Sequence, residues 1–436
     1  MSSHGTLFIV AHSHSHAPVE AGPPRKALAT VLAVIVGLLA VGVIAGVVAL
    51  WPDPDKAPKN ANPYQNVTQV DAVVTSVSPF NCGSGGEGPD GLPSVKGDCA
   101  HVTASTKGGS ARFDLDAGHY KGGVHKGDKV KLIRLQPEGQ TASYQFLDFR
   151  RGLPLTALAL AFGIIVVAVA RWRGLFAIVG VGVTLLALTK FILPAFLAGE
   201  SPIQVAVVGS AGIMLLVLYL AHGVSIRTTS ALFGTFFGLI LTGGLGYLAT
   251  HWTSLTGIGS EDDQVLIAVA PNIHMSGVVA ASMVIAGLGV LNDVTVTQAS
   301  AVWELRAIQP AVRAGELFRS AMRIGRDHIA SSVYTLVFAY AGSAMTILLL
   351  ITAYQQSFAQ MATTEQITEE IVRTLVGAIG LVLAVPITTV IAVILAPRAK
   401  DEPTELPPVL AEAVPDGSGT AAAREPRSHR APLPSE

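Results

Sequence analysis

Residues 27–50 (ALATVLAVIVGLLAVGVIAGVVAL) contain no charged side chain, and the run is about as long as the ~20 residues a helix needs to cross a bilayer. Apolar runs of similar length return at about 153–170, 174–197, 203–222, 229–250, 272–297, 332–353 and 373–396. Together they predict an all-α polytopic membrane bundle of about eight transmembrane helices, with the lipid bilayer as its first partner. Arg25 and Lys26 precede the first run, as they would in a secretory signal. Signal cores, however, span only about 7–15 residues, so a retained helix is expected. The run VLIAVA before Pro271 is too short to cross alone, and is either the start of the sixth helix or an interfacial segment.

Charge is scarce: 14% of the 436 residues are charged, against about 25% in ordinary globular chains. A net charge of -1 offers no electrostatic case for a nucleic acid partner. The distribution says more. Arg25 and Lys26, Arg171 and Arg173, Arg227, the group Arg306, Arg313, Arg319, Arg323 and Arg326, and then Arg398 and Lys400 fall in alternate loops. Glu200, the run Glu261, Asp262, Asp263, and Glu365, Glu369 and Glu370 occupy the others, with Arg373 at a membrane boundary. Cationic loops stay in the cytoplasm, which predicts a cell-membrane protein with both termini cytoplasmic. Five regions follow: a cytoplasmic His-containing tail (1–26), the first transmembrane helix (27–50), an exported domain (51–152), a seven-helix membrane domain (153–396) and a disordered cytoplasmic tail (397–436) rich in Pro, Ala, Glu and Ser.

An exported domain meets oxidising conditions, so the only two cysteines, Cys82 and Cys99, are expected to form a disulfide across a Gly-rich loop. The runs VTQVDAVVTSVS, HVTAST, ARFDLDA, GDKVKLIRL and YQFLDF are short, β-prone and bounded by turn residues, and so predict a small β-barrel or sandwich acting as a binding or gating cap. His101, His119 and His125 lie at no ligand spacing and read as surface or turn histidines. No cofactor is expected. His12, His14 and His16 alternate in AHSHSHA, where three imidazoles could share a zinc or nickel ion; the plainer reading is a solvated tail.

The stretch GLGVLNDVTVTQASAVWELR runs an apolar span into Asn292, Asp293, Thr295, Thr297 and Gln298. In a continuing helix Asp293, Thr297 and Ser300 share one face. An ionisable group within a span costs about 2.5–3.5 kcal/mol on insertion scales, which points to an ion or proton relay; the alternative places Asp293 at the cytoplasmic boundary, simply ending the run. Arg326, Asp327 and His328 are candidates to complete such a relay. Lys190, near Pro194, is expected to snorkel to the interface. Asn272 and His274 either line a vestibule or cap the sixth helix, with Pro271 in its first turn. Between the sixth and seventh spans, Leu317, Phe318, Ala321 and Gly325 share one face and Glu316, Ser320, Arg323 and Asp327 another, predicting an amphipathic helix on the cytoplasmic membrane surface. Gly234 and Gly238, followed by Gly243, Gly244 and Gly246, predict close helix packing.

The strings GLGVLNDVTVTQASAVWEL, SAMRIGRDHIASSVYTLVFAYAGSAM and IAVAPNIHMSG resemble the YibE/F-like family of bacterial membrane proteins, over about 150–396. The preceding span and small exported β-domain also resemble that family's arrangement. A local likeness, a span ending in Asn-Asp, an arginine-bearing helix and a span opening with Ser and Thr, is similar to SecF and the resistance-nodulation-division permeases. It implies that the third to eighth spans form one six-helix permease half with Asp293 as the intramembrane acid; the large exported insertion of those permeases is missing.

The expected function is a proton-coupled secondary transporter or export-type permease, with Asp293 as carrier and Asn292 and Thr297 as neighbours. The alternative is a non-transporting membrane scaffold or envelope-assembly protein. Either reading accommodates a homo-oligomer or a partner membrane protein. The chain contains no nucleophile–base pair, phosphate loop or HExxH, so no enzyme is expected, the one exception being a membrane-embedded hydrolase built on the exported histidines or the sixth-span vestibule.

Overall fold

A computed structural model describes residues 26–56, 58, 67–83, 95–135, 142–355 and 357–397. His12, His14 and His16 and the tail beyond Pro397 lie outside the described residues. Helix α1 (Lys26–Ala49) leads to five strands, β1 (Thr68–Phe80), β2 (Cys99–Thr106), β3 (Gly109–Leu115), β4 (Lys129–Leu135) and β5 (Ser143–Phe149), with a short helix α2 (Ala117–Lys121) between β3 and β4. All five β-prone runs are strands. They form one antiparallel sheet in the order β3-β2-β1-β4-β5, with β1 long enough, and kinked by a register shift between Val74 and Ser76, to pair with both β2 and β4. The sheet edges meet where Phe113 of β3 stacks on Phe146 of β5, ring centres 6.3 Å apart. The result is a small barrel with the connectivity of the OB-fold, a likeness of topology that assigns no ligand. Alternation places Val74, Val102, Ala104, Phe113, Val130 and Leu132 inside. Cys82 and Cys99 are disulfide-bonded, closing a loop worth roughly 3 kcal/mol through restriction of the unfolded chain. His101 pairs with Asp114 (2.6 Å) and stacks on Phe80, while His119 pairs with Asp116 (2.6 Å); both brace the barrel surface.

The helices that follow are α3 (Gly152–Ala187), a π-helical turn (Leu188–Ile192), α4 (Leu193–Leu197), α5 (Pro202–His222), α6 (Ile226–Trp252), α7 (Glu261–Val269), α8 (Met275–Ile308), α9 (Ala314–Ser343), α10 (Met345–Ala353), α11 (Phe358–Ala362) and α12 (Glu365–Leu395). Among the described residues six helical stretches are long and apolar enough to cross a bilayer, or seven if α9 and α10, bent by 63°, count as one broken span. The longest of the six, Gly152–Leu197, reverses direction at Arg171, whose φ is +53°. Beyond the reversal, a Cβ on Gly174 would lie 2.4 Å from the carbonyl oxygen of Val166. Only glycine lets the returning helix approach its own first half so closely. Lys190, in the π-helical turn, is exposed.

The core of the bundle is α6, α8 and α12, with α5 and α9 packed outside them. Small residues set the spacing. A Cβ on Gly234 would meet Thr388 Oγ1 at 2.0 Å, and one on Gly238 would meet Leu291 at 2.7 Å, so the GxxxG of α6 is the seat of both α8 and α12. Gly243 and Gly246 extend this contact to Val207, Val284, Met283 and Ala280, whereas Gly244 faces open space.

Three sequence readings are narrowed or corrected. VLIAVA belongs to a separate short helix, α7, started by a reciprocal Ser260–Asp263 capping box and ended at Ala270, so it is not the start of the sixth helix. Pro271 and Asn272 precede α8 without capping it, and His274 occupies the N-cap position but makes no side-chain capping bond. The arginine-bearing segment is not a separate surface helix: it is the first part of α9, continuous with the next span. Its expected apolar face does exist, with Leu317, Ala321 and Gly325 buried, but Gly325 lies against Val385 and Gln298, so that face is covered by protein rather than lipid.

Candidate functional site

Helix α8 runs past Asp293 and on to Ile308, because no proline or glycine interrupts the stretch from Leu291 onward and Leu291, Val294, Val302 and other apolar residues recur on its buried side. Depth can be read from its neighbours. Leu291 packs on Gly238, and Thr295 Oγ1 is hydrogen-bonded to Thr235 Oγ1 at 2.7 Å. Asp293 therefore lies level with residues 235–238 of α6, about 13–18 Å along that helix from its Ile226 end at 1.5 Å per residue. The carboxylate points away from the helices that pack on α8, and it is exposed, as is Gly289 one turn before it. Thr297 lies below it and donates its hydroxyl to the Asp293 carbonyl (2.8 Å). The expected stripe of Asp293, Thr297 and Ser300 shares this open side.

The buried side of the same turns carries the polar groups that sequence reasoning underrated. Gln298, 1% exposed, donates from Nε2 to the Ala321 carbonyl (3.0 Å) and to Thr389 Oγ1 (2.8 Å), and the Thr389 hydroxyl donates to the Val385 carbonyl (2.7 Å). One amide thus joins α8, α9 and α12. Asn292 Oδ1, Thr242 Oγ1 and Ser210 Oγ are buried without a hydrogen-bond partner among the described residues. Toward the other end of the bundle, Arg373 of α12 binds Glu369 and Glu370, and its Nε donates to Ser282 Oγ of α8 (3.3 Å). The i, i+3 and i, i+4 spacing of those carboxylates was the available sequence signal for this cluster.

Arg326 and Asp327 are exposed and His328 half-buried on α9; among the described residues none of them forms an ion pair with Asp293. His274 lines a cavity beside the start of α8, and Asn272 does not line it. Among the described residues no three His, Cys, Asp or Glu side chains gather as a metal site.

Residues 158–398, more than half of the chain, match the family of YibE/F-like proteins. The chain belongs to the YibE/F-like family. The matched region takes in Asp293, Gln298, the Arg373 cluster and all of the packed core, and leaves the barrel and α1 outside it. No curated protein and no solved structure matches this YibE/F-like chain.

Proposed function

We propose that this YibE/F-like protein is a proton-coupled secondary transporter or export-type permease of the bacterial cell membrane. It crosses the bilayer eight times, with both termini cytoplasmic and the barrel exported. Dividing Gly152–Leu197 at Arg171 and counting the bent α9–α10 pair once raises six spans to eight. Loop contacts support the alternation of sides: Lys56 reaches Glu200 (3.6 Å), and the Thr256 and Gly257 N–H groups donate to Glu365 (2.6 and 2.7 Å). These acidic loops share one end of the bundle, and cationic Arg171, Arg173, Arg227 and Arg306 belong to the other.

The observation that carries the functional reading is Asp293, an exposed carboxylate far from either end of a packed helix. Facing lipid in its charged form it would cost about 2.5–3.5 kcal/mol, a cost a proton carrier avoids by crossing that environment neutral. Thr297, one turn on and bonded to the Asp293 carbonyl, is its polar neighbour on the open side, and Asn292 adds a buried amide oxygen on the packed side. The reading assigns no catalytic residue. The test is proton flux into proteoliposomes, followed with an enclosed pH-sensitive dye. Asp293→Asn is expected to cut flux by at least tenfold while leaving thermal stability within about 0.5 kcal/mol, as for other exposed positions. Flux that survives the substitution unchanged sinks the transport mechanism and moves the scaffold reading to the front.

A further inference from the structure

A cavity of about 460 Å³ opens where the start of α5, the end of α6 and the start of α8 meet, a size suited to a small ligand. It is held open by rigid parts: the Pro202 ring sits about 3.1 Å from where a Cβ on Gly277 would be, fixing α5 beside α8. Two imidazoles line it, His251 and His274, together with Tyr247, Thr250 and Ser276. His251 Nδ1 lies 2.8 Å from the Tyr247 carbonyl oxygen. That oxygen can only accept, so Nδ1 carries the proton and Nε2 is left for a ligand. The ring is steadied by Tyr247, 4.2 Å away between centres.

Among the described residues no carboxylate lines the cavity; Glu200, next to its rim, is engaged by Lys56. Neither α5 nor α8 has a side-chain cap, so the N–H groups of Ile203, Ser276 and Gly277, all lining residues, add to the donors. Two imidazoles without a third ligand make a poor cation cage, whereas the Tyr247 and Ser276 hydroxyls and the free backbone N–H groups can donate to a tetrahedral oxyanion while His251 Nε2 accepts from a hydroxyl that the ligand carries.

We propose that this cavity binds a phosphoryl group, carried by a lipid headgroup or as free phosphate. The site is separate from Asp293 and does not depend on transport. Full-length protein in detergent, with no added lipid, is titrated by calorimetry with inorganic phosphate in one arm and short-chain phosphatidylglycerol in the other. Saturable binding in either arm, weakened at least tenfold in the His251→Gln/His274→Gln double variant, is the expected result; the arm that saturates identifies the source. Ser276→Glu places a carboxylate in the cavity at a helix start that tolerates it, and is expected to abolish binding with unliganded stability preserved. No saturation in either arm, or variants that bind as tightly as the wild type, overturns the proposal.

Discussion

The barrel and the bundle of this protein are built in opposite senses. In the barrel the interior is apolar, from Ala72 to Leu132, and the hydrogen-bonded pairs His101–Asp114 and His119–Asp116 and the ion pair Arg150–Asp71 lie on the surface. In the bundle the surface is Leu, Val, Ile and Phe, and every buried polar side chain among the described residues is found there, Thr235, Thr295, Gln298, Thr388 and Thr389 among them. The difference follows from the solvent. Water sorts the barrel's residues by the hydrophobic effect; lipid is as apolar as leucine and sorts nothing, so close packing of small residues and internal hydrogen bonds must specify which helices meet.

The contrast is most vulnerable at Gly234. Gly234→Leu drives a side chain into Thr388, 2.0 Å from the first added carbon, and is expected to cost about 3 kcal/mol, the upper end of typical overpacking. Melting followed by size-exclusion chromatography should show a clear drop, while Gly37→Leu on α1, with nothing within 4 Å, stays near wild type. Equal losses would mean that small residues do not specify the packing. Next in size is Gln298→Leu, which removes the amide's bonds to the Ala321 carbonyl and Thr389 Oγ1 at about 0.5–1.5 kcal/mol each; a variant as stable as the wild type in the same assay would show the buried amide to be dispensable.

The smallest effect belongs to the barrel. Burial raises the pKa of Asp116, but hydrogen bonds from the His119 N–H and ring outweigh it and hold the carboxyl below its ordinary 3.8. A group held low in the folded state stabilises fully above that ordinary value and loses its contribution as pH falls through the lower folded value. Asp116 also caps α2, so Asp116→Ala should cost about 1 kcal/mol at pH 7. Hydrogen exchange of the β3–α2 amides, variant against wild type, should converge as pH drops below 3.8; a difference that stays constant would remove the titration from the account.

Much of this architecture is legible in the sequence. Hydropathy marks the apolar runs because insertion depends on composition, and alternation marks all five strands because one face of each is wet. The division at Arg171 is legible too, since two arginines flank Trp172. What escapes is contact between distant segments. The charges of Arg319, Arg323 and Arg326 read as a surface helix because nothing local says that Gly325 will seat against Val385. The bend after Ser343 carries no proline. Thr235, Thr242, Thr388 and Thr389 look like ordinary helical threonines until α6, α8 and α12 are brought together. Asp293 is plain in the sequence, as is its stripe with Thr297; its level beside Gly238 is not. The cavity is less visible still, since it is assembled from three helix ends, with His251 contributed by a segment whose pattern reads only as span.

The reversal at Arg171 bears on how the chain is made. Its two arms are apolar and joined through one residue of positive φ, and the second arm ends in the bundle core at Phe191, Ile192, Ala195 and Phe196. On the eight-span reading proposed above, a hairpin closed this tightly is expected to enter the bilayer as a pair, with Arg171 and Arg173 left at its tip.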